Sequence, residues 1–301
     1  MSHFAILAVR KAGNPISYGE AMERYSESLE VTPYIYKTYA EAVEDGKVYL
    51  SSLADQDEVK DLIAGMSEED WIAKYKEAWY TPESMKNQYK YNMKNVELVK
   101  KYLDGTITDK ECHDLYCADE TNIDEEGNIL STYNPDSKWD WYTVGGRWEG
   151  ELKIKKSKVK KYGSDTVDQA LKGDIDWAAM NSITPEQRKS AKRFWKYYVM
   201  EEPYPGTDEE KHEEFKFVYR KPEYYINRYK TVEGYLKSLS TWYLRAVLDD
   251  DGNWNEVGSM GWFGCSSESE DEEAEWEDGF YERFIKPLPE DAELTVIDCH
   301  I

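Results

Sequence analysis

The sequence predicts an α+β fold in which one mainly antiparallel sheet carries packed helices and two helical insertions. Short apolar segments lie at both ends of the chain, at residues 3–9 and 293–300. The predicted order is strand, helical insert, motif strand, basic strand, helical insert, strand, helix and strand, so helices and strands do not alternate regularly. Grouped helices and strands are typical of α+β proteins, and apolar terminal strands are expected to be central neighbours in the sheet.

We expect a single domain, because 301 residues can bury a substantial core without metals or disulfides. The predicted core is discontinuous, and two helical insertions interrupt it. The core covers 1–49, 119–162 and 236–301, and the insertions cover about 50–118 and 163–235.

The N-terminal half begins with a predicted buried strand, HFAILAV, followed by the turn signal KAGNP. Residues 67–80, SEEDWIAKYKEAWY, form a predicted helix with a Ser N-cap and an acidic first turn. A second helix is predicted for residues 82–103 and ends at Asp104-Gly105. Residues 119–137 lack the spacing of a calcium loop, so a solvated turn is predicted there.

The C-terminal half begins with ELKIKKSKVKK, residues 151–161, which predicts a half-exposed edge strand because lysines alternate with apolar residues. Residues 185–200 predict a third helix with proline in its first turn. A strand leading to the turn at Asp251-Gly252 follows, and then an acidic run that becomes a helix. ELTVIDCHI closes the chain as a buried strand.

The charge balance restricts the partners. There are 38 basic and 61 acidic residues, a net charge of −23, which disfavours direct binding of nucleic-acid phosphates. An acidic surface suits a partner with a basic surface. Aromatic residues make up 14% of the chain, so we expect a folded protein in which the tyrosines serve either protein contacts or the core.

The sequence predicts a cytosolic protein without a membrane segment, because it contains no stretch of 18 apolar residues and no signal-peptide pattern. The four cysteines are expected to be reduced thiols. Cys112, His113 and Cys117 do not make a complete zinc pattern. We therefore expect no metal and no cofactor.

The segment SKWDWYTVGGRW, residues 137–148, is either rigid core or a ligand site. A strand that begins near Trp139 would place Trp139 and Trp141 on one face, and two glycines would then end it. In the core interpretation Asp140 and Arg147 form a buried pair. The residues assigned to the structural core are Trp139, Trp141, Gly145, Gly146 and Trp148.

The two ends of the chain supply a second constellation. If the terminal strands pair, His3 lies close to Asp298, Cys299 or His300, and two histidines with an aspartate could orient a proton relay or ligate a metal. Histidines satisfied within the core are the alternative. Should the protein be an enzyme, the candidate catalytic residues are His3, Asp140, Arg147, Asp298 and His300. No G-x-S-x-G, H-E-x-x-H or paired C-x2-C motif accompanies them.

Three blocks together resemble a family of mostly uncharacterised proteins encoded by phages and other mobile elements. They are MSHFAILAV, YNPDSKWDWYTVGGRW, and GSMGWFG followed by a helix and LTVIDCHI. The resemblance covers about a quarter of the chain but includes both ends. It implies a protein made in the cytoplasm of an infected bacterial cell, with the inserted helices as elaborations of a shared scaffold.

The resemblance leads to our first functional expectation: a phage anti-defence protein that binds and inhibits a host nuclease or a nucleotide-sensing defence complex. The expected partner is a host protein complex with a basic surface. Contacts are expected from aromatic residues of the inserts, namely Trp71, Tyr75, Trp79, Trp195, Tyr197 and Tyr198. The alternatives are an enzyme that acts on a nucleotide or another small anion, and a phage structural or housekeeping protein. Homo-oligomerisation is left open.

Overall fold

A computed structural model describes residues 2–77, 80–260 and 265–301. The strands are β1 (His3–Arg10), β2 (Tyr34–Lys37), β3 (Ile129–Ser131), β4 (Trp141–Val144), β5 (Leu152–Lys153), β6 (Thr166–Val167), β7 (Gln169–Leu171), β8 (Ala246–Leu248), β9 (Trp254–Glu256) and β10 (Glu293–His300). The helices are α1 (Tyr18–Glu23), α2 (Tyr39–Asp55), α3 (Asp57–Ile63), α4 (Glu68–Tyr75), α5 (Pro82–Leu103), α6 (Asp109–Tyr116), α7 (Val159–Tyr162), α8 (Trp177–Met180), α9 (Pro185–Phe194), α10 (Asp208–Phe215), α11 (Pro222–Tyr229), α12 (Val232–Ser240) and α13 (Glu270–Phe280).

The predicted fold class is confirmed, since the chain forms an α+β structure around a mostly antiparallel sheet. The strand order is β4-β10-β1-β8-β9, and β7 pairs with the same edge of β10 as β4 does. Strands β1 and β10 are antiparallel neighbours over their full eight-residue length. The expected pairing of the two terminal strands is therefore correct. It determines which residues of β1 and β10 lie opposite each other.

The sheet is covered on both faces, which explains why its two central strands are almost entirely buried. Alternate residues of β1 and β10, such as Leu7 and Val296, pack with Phe280 of α13 on one face. Ile6 and Ile297 pack on the opposite face with Met22 of α1. Strands buried on both faces carry continuous apolar runs, as HFAILAV and LTVI do.

The chain divides into two compact units. One consists of Met1–Leu29 and Asn134–Ile301 and contains the sheet, and the other consists of Glu30–Tyr133. In the second unit α2, α3, α5 and α6 share a core that includes Val43, Leu50 and Val99. The second predicted insertion, 163–235, belongs to the same unit as the sheet. The single-domain organisation stays a prediction.

Helix boundaries agree closely with the capping signals. Helix α5 covers the predicted residues, and Thr81 caps its N-terminus. Helix α4 begins after its Ser67 cap as predicted, but it ends at Tyr75, before the predicted end at residue 80. Helix α9 is extended by a π-helical turn, Trp195–Val199, to almost the predicted end. The edge strand predicted for residues 151–161 is wrong. Only Leu152–Lys153 form a strand there, because the following lysines turn toward a buried carboxylate and begin α7.

That carboxylate is Asp174, which is buried beneath the basic segment. Its oxygens lie 2.9 Å from Lys158 Nζ and 2.7 Å from Lys161 Nζ, and it accepts a hydrogen bond from the Tyr162 hydroxyl at 2.9 Å. The hydrogen bonds from Lys161 and Lys158 hold the pKa of Asp174 well below its usual range. The only dense basic segment of the sequence is thus bound to an acidic residue of its own chain.

We expect Asp174→Asn to cost about 1–2 kcal/mol of unfolding free energy at neutral pH, because the charge-assisted bonds are lost. The folded-state pKa lies below the unfolded value of about 3.9, so the stabilisation is present above that pH and disappears as the pH falls through the folded value. Urea unfolding at pH 7 and pH 3 measures this. The difference between wild type and variant should shrink at pH 3, and an unchanged difference would contradict the assignment.

Candidate functional site

The candidate site lies where β1, β10 and β4 meet at one end of the sheet. Their register places His3 opposite His300 and His300 opposite Trp141, so the three side chains form a row on one face. The next row contains Ala5, Asp298 and Thr143. Residues from the two chain ends and from the tryptophan-rich block are therefore brought together by strand pairing alone.

Each histidine is held by its own carboxylate. His3 Nδ1 lies 2.8 Å from Asp298 Oδ1, and His300 Nδ1 lies 2.7 Å from Asp140 Oδ1. A carboxylate can only accept at these distances, so both Nδ1 atoms donate and the Nε2 atoms remain for other partners. No hydrogen bond joins either Nε2 to another residue among 2–77, 80–260 and 265–301.

The two imidazoles are close neighbours. Their ring centroids are 4.9 Å apart and their planes are nearly perpendicular. Both side chains are largely buried, with 10% of His3 and 6% of His300 exposed, whereas Asp140 remains 37% exposed. The pair therefore lies in a sheltered position that borders solvent.

Asp298 connects the histidine to the glycine-containing turn. It is almost completely buried, and while Oδ1 holds His3, Oδ2 accepts a hydrogen bond of 3.0 Å from the Arg147 backbone N–H. Arg147 is exposed, and its guanidinium makes no ion pair within the described part of the chain. The predicted buried pair of Asp140 and Arg147 is wrong, because Asp140 binds His300 and the Trp141 backbone N–H instead.

The Gly145-Gly146 turn fits between two aspartates. Both glycines have positive φ, +71° and +57°, which supports their predicted role in ending the strand. A Cβ on Gly146 would lie 2.5 Å from Asp298 Cβ, and a Cβ on Gly145 would lie 2.5 Å from Asp168 Cγ. Neither position has room for a side chain, so the turn brings the Arg147 backbone N–H to Asp298 only with glycines present.

Asp168 is a member of the site that the sequence did not reveal. Its Oδ1 accepts a 2.6 Å hydrogen bond from the Gly150 backbone N–H, and its backbone carbonyl accepts from Val296 N–H. It thereby attaches Gly150, in the segment that follows the glycine turn, to β10, and its side chain packs against Gly145. Asp168 lies in the second predicted insertion, in no recognisable motif, and only the three-dimensional structure shows its position.

The tryptophans of the block have different roles. Trp139 is buried, packs on the opposite face of the sheet and donates to the Met22 carbonyl. Trp141 is 46% exposed and stacks on His300 with an interplanar angle of 16°. The prediction that both share one face, and that both are core, is therefore wrong. Strand β4 begins only at Trp141, and the bend at Asp140 reverses the expected alternation.

The aromatic residues predicted to contact a partner are distributed unevenly. Trp71 and Trp195 are buried, so their side chains stabilise their helices and are not available to a partner. Tyr75, Tyr197 and Tyr198 are half-buried, and the Tyr75 and Tyr198 hydroxyls bond to Asp61 and to the Arg220 carbonyl. Trp79 lies outside the described residues. Trp148 packs at the edge of the core.

The cysteine and histidine pattern at 112–117 forms part of a helix core. The side chain of His113 stacks on Tyr39 and lies 2.8 Å from the Gly127 carbonyl oxygen. Burial raises the pKa of the thiols of Cys112 and Cys117, which keeps them protonated. Over the described ranges no group of three or more His, Cys, Asp or Glu residues is arranged to hold a metal ion.

Comparisons with known proteins do not identify a relative, so the function is inferred from the geometry of the site. The chain matches none of the protein-family models, curated proteins or solved structures with which it was compared. Among the described residues, no helix combines the length and apolar character needed to cross a membrane.

Proposed function

We propose that the chain is an enzyme that uses His3 and His300 as a general acid and base on a phosphate ester. One observation carries the proposal: two imidazoles 4.9 Å apart, each with its Nδ1 held by a separate carboxylate. A carboxylate on Nδ1 fixes the ring orientation and stabilises the imidazolium that forms during proton transfer. Two such pairs side by side can accept one proton and donate another within a single reaction.

In the proposed hydrolysis, the neutral histidine accepts a proton from water through Nε2 while the water oxygen forms a bond to phosphorus. The phosphorus–oxygen bond to the alcohol breaks, and the protonated histidine donates its Nε2 proton to the leaving oxygen. The products are a phosphate with one fewer ester bond and an alcohol. The two histidines have then exchanged protonation states, which solvent exchange reverses.

Two exposed residues favour an anionic substrate with a planar ring. Arg147 follows the glycine turn, and its backbone N–H donates a hydrogen bond to Asp298. Its guanidinium can pair with a phosphate through two parallel hydrogen bonds. Trp141 stacks on His300 with one face and is 46% exposed, so it can stack on a base with the other. A nucleotide satisfies both.

Hydrolysis of bis(p-nitrophenyl) phosphate by the full chain tests the proposal. The wild-type protein should release p-nitrophenolate faster than buffer, and the double variant His3→Gln/His300→Gln should not. His212→Gln is the matched control, because His212 lies on α10 outside the site. The proposal fails if the wild type is inactive on this ester and on a panel of nucleotides, or if both variants retain full activity.

A second candidate is the inhibitor of a host defence complex, and the distribution of charge favours it. Residues 236–301 contain 17 acidic and 4 basic residues, which give a net charge of −13. This segment therefore carries more than half of the net charge of −23 of the whole chain. The two inserts contribute much less, with 14 acidic and 9 basic residues in 50–118 and 14 acidic and 12 basic in 163–235. Asp271 and Glu275 of α13 are exposed and form no ion pair with any described residue. A basic partner surface would bind here, beside α13, in preference to the inserts.

Retention of a host protein by the tagged chain at about 150 mM and about 500 mM salt tests this candidate, since salt screens exposed charges. Binding should weaken at high salt and in Asp271→Lys/Glu275→Lys. The control is Asp104→Lys, an exposed position at the end of α5. Equal binding by all three proteins would exclude an electrostatic contact at α13.

A further inference from the structure

The second predicted insertion contains a cavity that is separate from the paired histidines. Helices α9 and α12 form two of its sides, and the segment 214–220 and Tyr225 of α11 complete it. Its volume is about 620 Å³. Pockets that bind small ligands have volumes of about 300–1,000 Å³, so the cavity has the size of a ligand site.

Aromatic rings form most of the cavity wall. Phe194 contacts Tyr225 edge to face at 5.0 Å and lies 5.5 Å from Tyr235. Phe217 and Tyr219 at the rim are 74% and 87% exposed. Rings arranged in this way present faces and edges to the cavity, which favours a flat aromatic ligand over an aliphatic one.

Two tyrosine hydroxyls in the lining of the cavity have no hydrogen-bond partner within the described part of the chain. The hydroxyls of Tyr225 and Tyr235 make no hydrogen bond to any residue that the structure describes. Burial raises the pKa of Tyr235 to about 12, so this hydroxyl remains a proton donor at neutral pH. The Tyr235 side chain is only partly buried, so its hydroxyl can donate to water, and an acceptor on a ligand can take the place of that water.

Arg220 supplies a positive charge at the rim. Its only ion pair with a described residue is to Glu270, at 3.2 Å, and both side chains are more than half exposed. Exposed ion pairs contribute little to stability, so an incoming anion can replace Glu270 at low cost. The other charged lining residue, Glu214, is already bound by both the Arg193 guanidinium and the Tyr204 hydroxyl.

We propose that this cavity binds a planar aromatic acid, a molecule with fused or linked aromatic rings and a carboxylate or sulfonate group. The rings pack against Phe194, Tyr225 and Tyr235, a ligand acceptor takes the Tyr235 hydroxyl, and the acidic group pairs with Arg220. The site is independent of the proposed phosphate-ester chemistry, because none of these residues contacts His3 or His300.

Calorimetric titration of the full chain with 1-anilinonaphthalene-8-sulfonate tests the size and position of the site. We expect saturable binding of one molecule per chain. Ser190→Trp places an indole into the cavity from α9 and should weaken binding at least about tenfold. Lys189→Trp, one residue away on the outward side of α9, is the matched control and should bind like wild type. Equal binding by both variants, or no saturable binding by wild type, would overturn the proposal.

Two further variants test the chemistry of the ligand. Tyr235→Phe should weaken binding about 2- to 10-fold, the effect of one lost hydrogen bond. Uncharged N-phenyl-1-naphthylamine should bind wild type more weakly than the sulfonate does, and Arg220→Gln should remove that difference. If the neutral compound binds wild type as tightly as the sulfonate, the acidic part of the proposal is wrong.

Discussion

His300→Ala is expected to lower the rate of phosphate-ester hydrolysis by about 10²- to 10⁴-fold, the contribution of one general acid or base. The side chain that is removed has its Nδ1 bound to Asp140 and its ring stacked on Trp141. His3 and Asp298 are held by a separate hydrogen bond and should remain in place. The variant would therefore keep one member of the acid–base pair and lose the other.

Free imidazole provides the control that separates chemistry from folding. Removal of the ring leaves a space beneath Trp141 that imidazole can enter, so added imidazole should restore part of the rate to His300→Ala but leave wild type unaffected. Initial rates with and without imidazole, and circular dichroism of both proteins, measure this. A folded His300→Ala variant with wild-type activity would show that His300 only joins the strands.

Gly146→Ala is expected to destabilise the protein by about 2–5 kcal/mol. Two costs add at this position. The residue has φ of +57°, a conformation that L-residues adopt reluctantly, and a Cβ would lie 2.5 Å from Asp298 Cβ and close to Thr143. Since Asp298 is almost fully buried between β1 and β4, it cannot move aside without breaking its bonds to His3 and Arg147.

Gly163→Ala is the matched comparison, because Gly163 has φ of +75° but nothing within 4 Å of an added Cβ. It should lose only the conformational part, about 1 kcal/mol. Urea denaturation of both variants measures the difference. Equal losses for Gly146 and Gly163 would mean that the glycine turn is not packed against Asp298.

The parts of the site that the sequence revealed are those that follow from strand pairing. The apolar character of the two terminal segments was sufficient to predict that β1 and β10 are neighbours, and that pairing alone brings His3 to Asp298 and His300. The glycine pair likewise predicted the end of β4. Such inferences succeed because strand alternation and positive φ leave direct signatures in the order of residues.

The remaining features depend on three-dimensional packing. The bend at Asp140 separates Trp139 from Trp141. No local residue pattern predicts this bend, because the side chain of Asp140 is held by His300, which is distant in sequence. Asp168 packs against Gly145 from the second predicted insertion. Trp71 resembled a surface contact in sequence, yet its helix packs that face inward. Burial by distant partners was the information that the sequence lacked.

Binding of inorganic phosphate, followed by the NMR signals of the four histidines, tests the central claim most directly. The four residues include their own controls, since His113 lies in the helix core of the second unit and His212 on α10. The account predicts that the ring signals of His3 and His300 shift together and saturably with phosphate, and that this response is lost in Arg147→Gln. Signals of His3 and His300 that stay unchanged, or that move no more than that of His212, would contradict an anion-binding acid–base site.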